Sequence, residues 1–173
     1  MAPQIQILSS SDAATVSKTC SEYSLSEAEF KKLAQMAAAA KKDAYCPYSQ
    51  FRVGACLLTA DGEFVYGANV ENASYPVGTC AERVALGKAV TNQQRKFRAL
   101  AVATDISPPA SPCGMCRQFI REFCDLSMPI IMFDVKQDYV VLRLEELLPL
   151  SFGPEQLPSP SHAAENASTR VHV

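Results

Sequence analysis

Apolar residues recur along the chain with two different periods, which predict helices that alternate with strands. The first helix should begin after Ser26, because Ser26 and Glu29 have the spacing of a capping box. It should end at the Cys46-Pro47 break. Its predicted apolar face carries Phe30, Leu33, Met36 and Ala37.

Two apolar runs follow, at 51–59 and 64–70, and the Asp61-Gly62 pair between them is a hairpin turn signal. They predict an antiparallel pair of strands. The proline-rich segment 107–112 interrupts regular structure. The later predicted elements are helices at 81–90 and 113–124, strands at 97–103, 129–133 and 139–142, and a helical turn at 144–148.

This order of elements predicts an α/β fold, in the form of a three-layer α/β/α sandwich. Its five-stranded mixed sheet should be covered on both faces by helices. Periodicity does not reveal the order of the strands. We expect residues 1–24 to form an N-terminal tail, 25–153 the folded domain and 154–173 a mobile C-terminal tail.

Composition narrows the class of protein. With 173 residues, 48% hydrophobic and 20% charged, the chain is typical of one globular domain. It has no apolar run of about 18 residues and no signal-peptide pattern at its start, so we expect a cytoplasmic protein without a membrane partner. A net charge of −2 argues against a nucleic-acid partner.

The counts of cysteine and histidine limit the possible chemistry. Seven cysteines without a secretion signal favour free thiols or metal ligands over disulfides. Both histidines, His162 and His172, lie in the predicted C-terminal tail. A buried metal site would therefore have to use Cys, Asp or Glu.

Three of the cysteines lie at predicted helix starts. Cys80 begins one helix, and Cys113 and Cys116 begin the next, 33 residues later. This interval allows the two helix starts to lie side by side, where the helix dipoles favour thiolates. Zinc suits three thiolates best, and a site with three protein ligands leaves one position for a water, as in catalytic zinc sites.

A carboxylate and two cations lie close to these cysteines. Glu82 is two residues beyond Cys80, where it could take a proton from the zinc-bound water. Zinc with three thiolates carries a net charge of −1. Arg83 and Arg117 are the candidates to offset it.

Simpler explanations exist for the same cysteines. A C-x-x-C motif is commonly half of a structural zinc site or a redox pair. A structural zinc site needs a fourth ligand, and Cys124 does not supply it because it points away from the helix start. A redox pair is expected after the first strand of a βαβ unit, whereas this motif follows Pro112 late in the chain. The remaining cysteines, interpreted as small buried or tail thiols, are Cys20, Cys46, Cys56 and Cys124.

Taken together, these motifs resemble those of the small, cysteine-only class of cytidine deaminases. The C-A-E run at 80–82 and the P-C-x-x-C run at 112–116 are the family signature, with cysteine in place of the more widespread histidine. Further similar stretches are 45–49, 51–55, 69–73, 113–118, 146–149 and 151–154. Ser74 departs from the pattern, since many relatives have cysteine there, but it is not a metal position.

The resemblance implies a role for each matching residue. Cys80, Cys113 and Cys116 would bind one zinc per chain, and Arg83 would neutralise thiolate charge. Glu82 would carry protons to ring N3 and to the leaving ammonia. For the nucleoside, the resemblance implies that Phe51 packs on the pyrimidine, that Asn69 and Glu71 hold the ribose hydroxyls, and that the backbone of Ala81 and the Ser111-Pro112 segment read the base edge.

The family also implies a homotetramer with sites completed across interfaces. Ala73, Tyr75 and Phe152 would come from neighbouring chains, and Tyr48 would lie at an interface. The implied function is hydrolysis of cytidine and 2′-deoxycytidine to uridine and 2′-deoxyuridine in pyrimidine salvage.

Three other functions share parts of this pattern. A deaminase of blasticidin-type nucleoside antibiotics is chemically close, although Asn69 and Glu71 favour ordinary ribose. A polynucleotide-editing deaminase would need a basic groove, which the net charge and the absence of Trp disfavour. In a zinc-stabilised binding module, Glu82 would be only a helix-start carboxylate, so the activity of a Glu82→Gln protein separates the alternatives.

Overall fold

The computed structural model describes residues 5–157, which form helices on both faces of one sheet. The helices are α1 (Ala13–Glu22), α2 (Glu27–Ala40), α3 (Ala81–Thr91), α4 (Gly114–Phe123) and α5 (Leu144–Leu147). The strands are β1 (Val53–Thr59), β2 (Phe64–Ala68), β3 (Phe97–Thr104), β4 (Pro129–Phe133) and β5 (Tyr139–Arg143). Within the described residues, none of the helices has the length and apolarity required to span a membrane.

The sheet is mixed and has the strand order β2-β1-β3-β4-β5. β3 and β4 pair in parallel, and the other neighbours pair antiparallel. The predicted fold class and the predicted hairpin between β1 and β2 are therefore confirmed. Because β2 and β3 both run antiparallel to β1, their carboxyl ends lie at the same edge of the sheet.

Side chains alternate between two cores, one on each face of the sheet. In β3, Leu100 and Val102 pack with residues of α3 and α4, whereas Ala99 and Ala101 pack with residues of α2. This alternation follows from the two-residue period of a strand. It accounts for the strands being apolar along their whole length, since neither face is open to water.

Helix α2 begins as its sequence predicts. The Glu29 amide donates to Ser26 Oγ (3.1 Å), and the Ser26 amide donates to Glu29 Oε2 (2.8 Å). This reciprocal capping box satisfies two amides that the first helical turn leaves unpaired. The α-helix ends at Ala40, earlier than predicted, and a 3₁₀ turn over Lys41–Asp43 follows it.

The N-terminal segment corrects one expectation. Residues 13–22 form helix α1 instead of an irregular tail, with Asp12 accepting a hydrogen bond from the Ala14 amide at its start. Leu8 pairs with Tyr139 of β5 through two backbone hydrogen bonds of 2.8 Å. Thr19 and Cys20 are buried, because α1 packs over the α2 face of the sheet. A short helix with few large apolar residues has too weak a period to be found from sequence.

At the C-terminal end, Pro154–Gln156 form a 3₁₀ turn, and Glu155 pairs with the buried Arg121 of α4. Most of the predicted mobile tail, including His162 and His172, lies outside the described residues.

Candidate metal centre and active site

Two helix starts meet at the sheet edge where β2 and β3 end. Cys80 is the N-cap residue of α3, which follows β2, and Cys113 is the N-cap residue of α4, which follows β3. Cys116 lies in the first turn of α4 and is buried. The common direction of β2 and β3 therefore brings together helix starts that are 33 residues apart in sequence.

The three sulfur atoms lie within 4.8 Å of one another. Cys113 Sγ is 3.8 Å from Cys80 Sγ and 3.5 Å from Cys116 Sγ. A tetrahedral zinc with Zn–S bonds of about 2.3 Å requires sulfur atoms about 3.8 Å apart. Two of the three sulfur–sulfur distances are therefore close to those of a zinc site, and the three cysteines leave the fourth position of a tetrahedron to another ligand.

The surroundings of Cys80 favour its thiolate. The pKa of Cys80 is lowered to about 5, chiefly by its interaction with the Cys116 sulfur and also by Arg83 and Cys113. The same interaction raises the pKa of Cys116, because the two sulfurs share one proton. Zinc would take the place of that proton when it binds all three sulfurs.

Arg83 and Arg117 occupy different positions relative to the sulfurs. Arg83 Nη2 lies 4.0 Å from Cys80 Sγ and donates to the Gly78 carbonyl (3.0 Å). Arg117 donates instead to the carbonyls of Pro112 (2.7 Å) and Leu147 (2.8 Å) and to Ser111 Oγ (2.8 Å). Of the two candidate cations, Arg83 contacts a ligand sulfur, whereas Arg117 holds the loop that leads to Cys113.

Glu82 is buried in the first turn of α3, with 4% of its surface exposed. Burial raises the pKa of its carboxyl group above the ordinary value. Its Oε2 atom has no hydrogen-bond partner among the described residues. A buried carboxyl with a free oxygen beside a metal site can hold and release a proton during a reaction.

A cavity of about 540 Å³ opens beside these groups. Of the residues predicted for the site, it is lined by Cys80, Cys113, Glu82, Phe51, Asn69, Glu71, Tyr75 and Ser111. Ala81 and Pro112 are buried next to metal ligands without lining the cavity, and Ala73 and Phe152 are exposed on the surface. A single chain therefore does not bring Ala73 or Phe152 into its own cavity, but it does bring in Tyr75, which was expected to come from a neighbouring chain.

Asn69 and Glu71 are partly engaged with the backbone around them. The Asn69 amide donates to the Phe51 carbonyl (2.9 Å) and accepts from the Val53 amide (2.8 Å). Glu71 accepts from the Tyr48 and Ser49 amides and from the Ser49 hydroxyl, which lowers its pKa. Each side chain keeps hydrogen-bonding capacity for a ligand, because a carboxylate has about four acceptor sites and an amide two donors.

Sequence reasoning missed several residues of the cavity wall. They are Ser49, Val53, Val70, Gly78, Thr79, Val102, Thr104 and Ala110. Most lie at strand ends or in the loops that follow, at the edge where the helices begin. The period-two alternation of β3 could have placed Val102 and Thr104 on one face, but only the packing shows that α3 and α4 cover that face.

Comparison with known proteins agrees with this geometry. The family model of the cytidine and deoxycytidylate deaminase zinc-binding region matches residues 28–132, which include all three clustered cysteines and Glu82. The chain is 46% identical over 137 residues to a cytidine deaminase of Sporosarcina psychrophila, an alignment that covers 79% of this chain and 98% of that protein. The chain belongs to the cytidine deaminase family.

Solved structures of the family share its fold. A cytidine deaminase from Burkholderia pseudomallei is 41% identical with a TM-score of 0.69, and the match covers 70% of this chain and 98% of that one. A cytidine deaminase from Mycobacterium tuberculosis is 35% identical with a TM-score of 0.63, covering 72% and 97%. The matching family model is that of a zinc-binding region, and the three-cysteine cluster could hold the zinc in this chain.

Proposed function

We propose that this deaminase hydrolyses cytidine and 2′-deoxycytidine to uridine and 2′-deoxyuridine, releasing ammonia, as a cytoplasmic enzyme of pyrimidine salvage. One observation carries the proposal: Glu82, with a free carboxyl oxygen, lies beside the cysteine cluster in a cavity of about 540 Å³. A volume of this size is typical of sites for small molecules. The family relationship supplies the substrate class.

The chain's own residues perform the proton transfers. When bound, zinc supplies a Lewis acid that makes water a better nucleophile near neutral pH. As the water oxygen bonds to C4 of the base, Glu82 Oε2 accepts a water proton and delivers it to ring N3. Glu82 then takes the proton of the new C4 hydroxyl and passes it to the exocyclic nitrogen. The C4 carbonyl forms as the C4–N bond breaks, and ammonia leaves.

The charges of the cavity favour a nucleoside over a nucleotide. Among the described residues that line it, none is Lys or Arg, and Glu71 contributes a carboxylate held ionised by its hydrogen bonds. A phosphate group placed there would meet repulsion without a compensating cation. Asn69 and Glu71 suit ribose hydroxyls, because the Glu71 carboxylate can accept a hydrogen bond from a hydroxyl and the Asn69 amide can donate one to a hydroxyl.

The proposal is tested with purified protein and cytidine, following the loss of cytosine absorbance. We expect turnover by the wild type, and a fall in kcat of roughly 10²- to 10⁴-fold in Glu82→Gln, because the amide cannot transfer protons. Zinc content should stay near one per chain. Glu122→Gln is the matched control, since Glu122 is exposed on α4. Substantial turnover by Glu82→Gln at full zinc occupancy would assign the proton transfers to another group.

We also propose that the enzyme is a homotetramer in which neighbouring chains complete each site. Tyr48, Tyr75 and Phe152 are large exposed side chains, with Tyr75 at 75% exposure. Beside the main cavity, a hollow of about 320 Å³ is lined by Tyr48 and Tyr75, whose ring centroids are 5.9 Å apart. This open aromatic hollow suits an apolar side chain from a neighbour, such as Phe152, with Ala73 at the same surface.

Sedimentation should therefore give a tetramer, and Phe152→Ala should reduce activity although Phe152 does not line its own chain's cavity. A fully active monomer at assay concentration would contradict this assembly.

A further inference from the structure

One wall of the cavity contains buried polar atoms that have no hydrogen-bond partner among the described residues. Within residues 5–157, four buried side-chain N or O atoms lack a hydrogen-bond partner, and two of them belong to residues that line this cavity. One is Glu82 Oε2, the proposed proton acceptor. The other is Thr104 Oγ1, on a residue with 2% of its surface exposed. Burying a hydroxyl without a hydrogen bond is unfavourable, so such a group calls for a functional explanation.

The side chain of Thr104 lies on the face of the sheet that α3 and α4 cover. Thr104 is the last residue of β3 and lies two positions after Val102, so the two share a face of the sheet. Val102 packs in the core beneath α3 and α4, the helices whose starts carry the clustered cysteines. Opposite Thr104 in the ladder is Val53, which also lines the cavity.

Neighbouring charges fix the backbone at this point. Lys41 Nζ donates to the Thr104 carbonyl (3.2 Å) and to Asp105 (2.9 Å). Arg52 donates to the other carboxylate oxygen of Asp105 (2.8 Å), tying the start of β1 to the end of β3. The hydroxyl of Thr104 is thus held at a defined place by contacts of the backbone, while Oγ1 itself makes no hydrogen bond with the described residues. This is expected of a preorganised binding group.

The strand order separates Thr104 from the sugar-binding candidates. Asn69 follows β2, β1 lies between, and Thr104 ends β3, from which the chain runs directly to Cys113. The metal end of the cavity is where C4 of the base must react. Thr104 is therefore one strand away from the residues proposed to hold the ribose, and it lines the same cavity as Cys113, the next cluster cysteine along the chain.

We propose that Thr104 is a substrate-positioning residue whose hydroxyl hydrogen-bonds the pyrimidine base of the bound nucleoside. The proposal rests on the proposed function for its substrate. A hydroxyl can both donate and accept, so it can pair with a carbonyl oxygen or a ring nitrogen of the base. Thr104 takes no part in proton transfer, and its contribution should be made equally to the ground state and the transition state.

The test compares Thr104→Val, which keeps the shape and removes the hydroxyl, with Thr104→Ser, which keeps the hydroxyl. For Thr104→Val we expect KM to rise roughly 3- to 10-fold, the effect of losing one neutral hydrogen bond, with kcat and zinc content unchanged. The rise should be the same for cytidine and 2′-deoxycytidine, which share the base. Thr104→Ser should have a KM close to the wild-type value. Titration with uridine should show Kd weakened by a similar factor in Thr104→Val.

Thr59→Val is a matched control from the same sheet. Thr59 is buried at the other end of β1, and its Oγ1 accepts a hydrogen bond from the Glu63 amide (3.0 Å). Thr59→Val should lower thermal stability and leave KM unchanged, because it removes a satisfied bond far from the cavity. Thr104→Val should leave stability unchanged or raise it, because it removes an unpaired buried hydroxyl.

Several outcomes would overturn the assignment. Wild-type KM and uridine affinity in Thr104→Val would show that the hydroxyl does not touch the ligand. A KM effect confined to cytidine would place the contact at the ribose 2′-hydroxyl instead of the base. Failure of the wild type to turn over cytidine would refute the proposed function, while the uridine titration would still decide the role of Thr104.

Discussion

At the scale of the residue, most polar side chains of the site serve its shape as well as its chemistry. Asn69 fixes the entry to β1, Glu71 fixes the turn at Tyr48, and Arg117 fixes the loop before Cys113. Arg83 differs, because it contacts Cys80 Sγ directly. Asn69, Glu71 and Arg117 thus hold the backbone in place, whereas Arg83 lies where its charge can offset that of the thiolates.

Replacing Arg83 tests its electrostatic role. Three thiolates and zinc carry a net charge of −1, which makes a bound water less acidic unless a cation offsets it. In Arg83→Gln we expect kcat/KM to fall about 10- to 100-fold, the scale of about 1.5–3 kcal/mol for a hydrogen bond to a charged group. Steady-state kinetics and zinc analysis provide the measurement. Arg95→Gln, at an exposed arginine, should behave as wild type, and equal rates in both variants would remove this role from Arg83.

Glu29 gives stability a defined pH dependence. A hydrogen bond from Arg98, together with the Ser26 amide, lowers the pKa of Glu29 below its ordinary value of 4.5. A carboxyl group whose pKa is lower in the folded state stabilises the fold above the unfolded-state pKa. This contribution is lost as the pH falls from about 4.5 towards the folded-state pKa.

Chemical denaturation of Glu29→Gln should therefore show a free energy of unfolding lower than wild type by about 0.5–1 kcal/mol at pH 7, the scale of a partly exposed ion pair. The difference should shrink below pH 4.5. A difference that stays constant across this range would mean that Glu29 does not titrate with folding.

At the scale of the element, the place of helix α3 depends on one glycine of β2. A Cβ atom on Gly67 would lie 2.5 Å from the Ala85 amide nitrogen and 2.8 Å from the Ala81 carbonyl oxygen. Both contacts are with backbone of α3, which cannot rotate away. Because Cys80 and Glu82 are at the start of α3, this close approach also positions a cysteine of the candidate metal centre and the carboxylate proposed to carry protons.

Gly67→Ala should lower the free energy of unfolding by about 1–3 kcal/mol, the usual cost of overpacking, and should also reduce kcat and zinc retention. Gly87→Ala is the matched control within α3, since a Cβ there meets nothing within 4 Å. It should be neutral or stabilise by up to about 1 kcal/mol, because alanine favours the helix. Thermal unfolding and metal analysis of both proteins decide the matter. A fully stable, zinc-loaded Gly67→Ala would contradict this packing.

At the scale of the whole molecule, the two faces of the sheet have separate tasks. The face beneath α3 and α4 leads to the metal centre, whereas the face beneath α1 and α2 holds the second core, with Phe30, Phe133 and Tyr139 in mutual contact. Thr19 of α1 reaches this core, where its hydroxyl is 2.9 Å from Tyr139 Oη. The N-terminal segment therefore supports stability on the side away from the cavity.

Deleting residues 1–24 tests this division. We expect the free energy of unfolding to fall by at least about 2 kcal/mol, the order of one buried side chain, because Phe30 and Tyr139 lose their cover. The folded fraction should keep wild-type KM and zinc content. Denaturation curves with activity assays give the measurement, and a truncated protein as stable as the full chain would show that the segment is dispensable.

Local sequence patterns predict the candidate metal centre and most of the helices and strands. Cysteine, alanine and glutamate at 80–82 and the cysteine pair at 113 and 116 are local patterns at helix starts, where a few neighbouring residues set both backbone and function. The capping box at Ser26 and the hairpin turn at Asp61-Gly62 are similarly local, and the structure has both α2 and the β1–β2 pair where they predict them.

Features that depend on contacts between distant positions could not be predicted from the sequence. The strand order, the burial of Thr104 in the cavity wall and the packing of α1 have no local signal. Each results from which faces meet when helices cover a sheet. That arrangement minimises exposed apolar area over the whole molecule and is not encoded in any one segment.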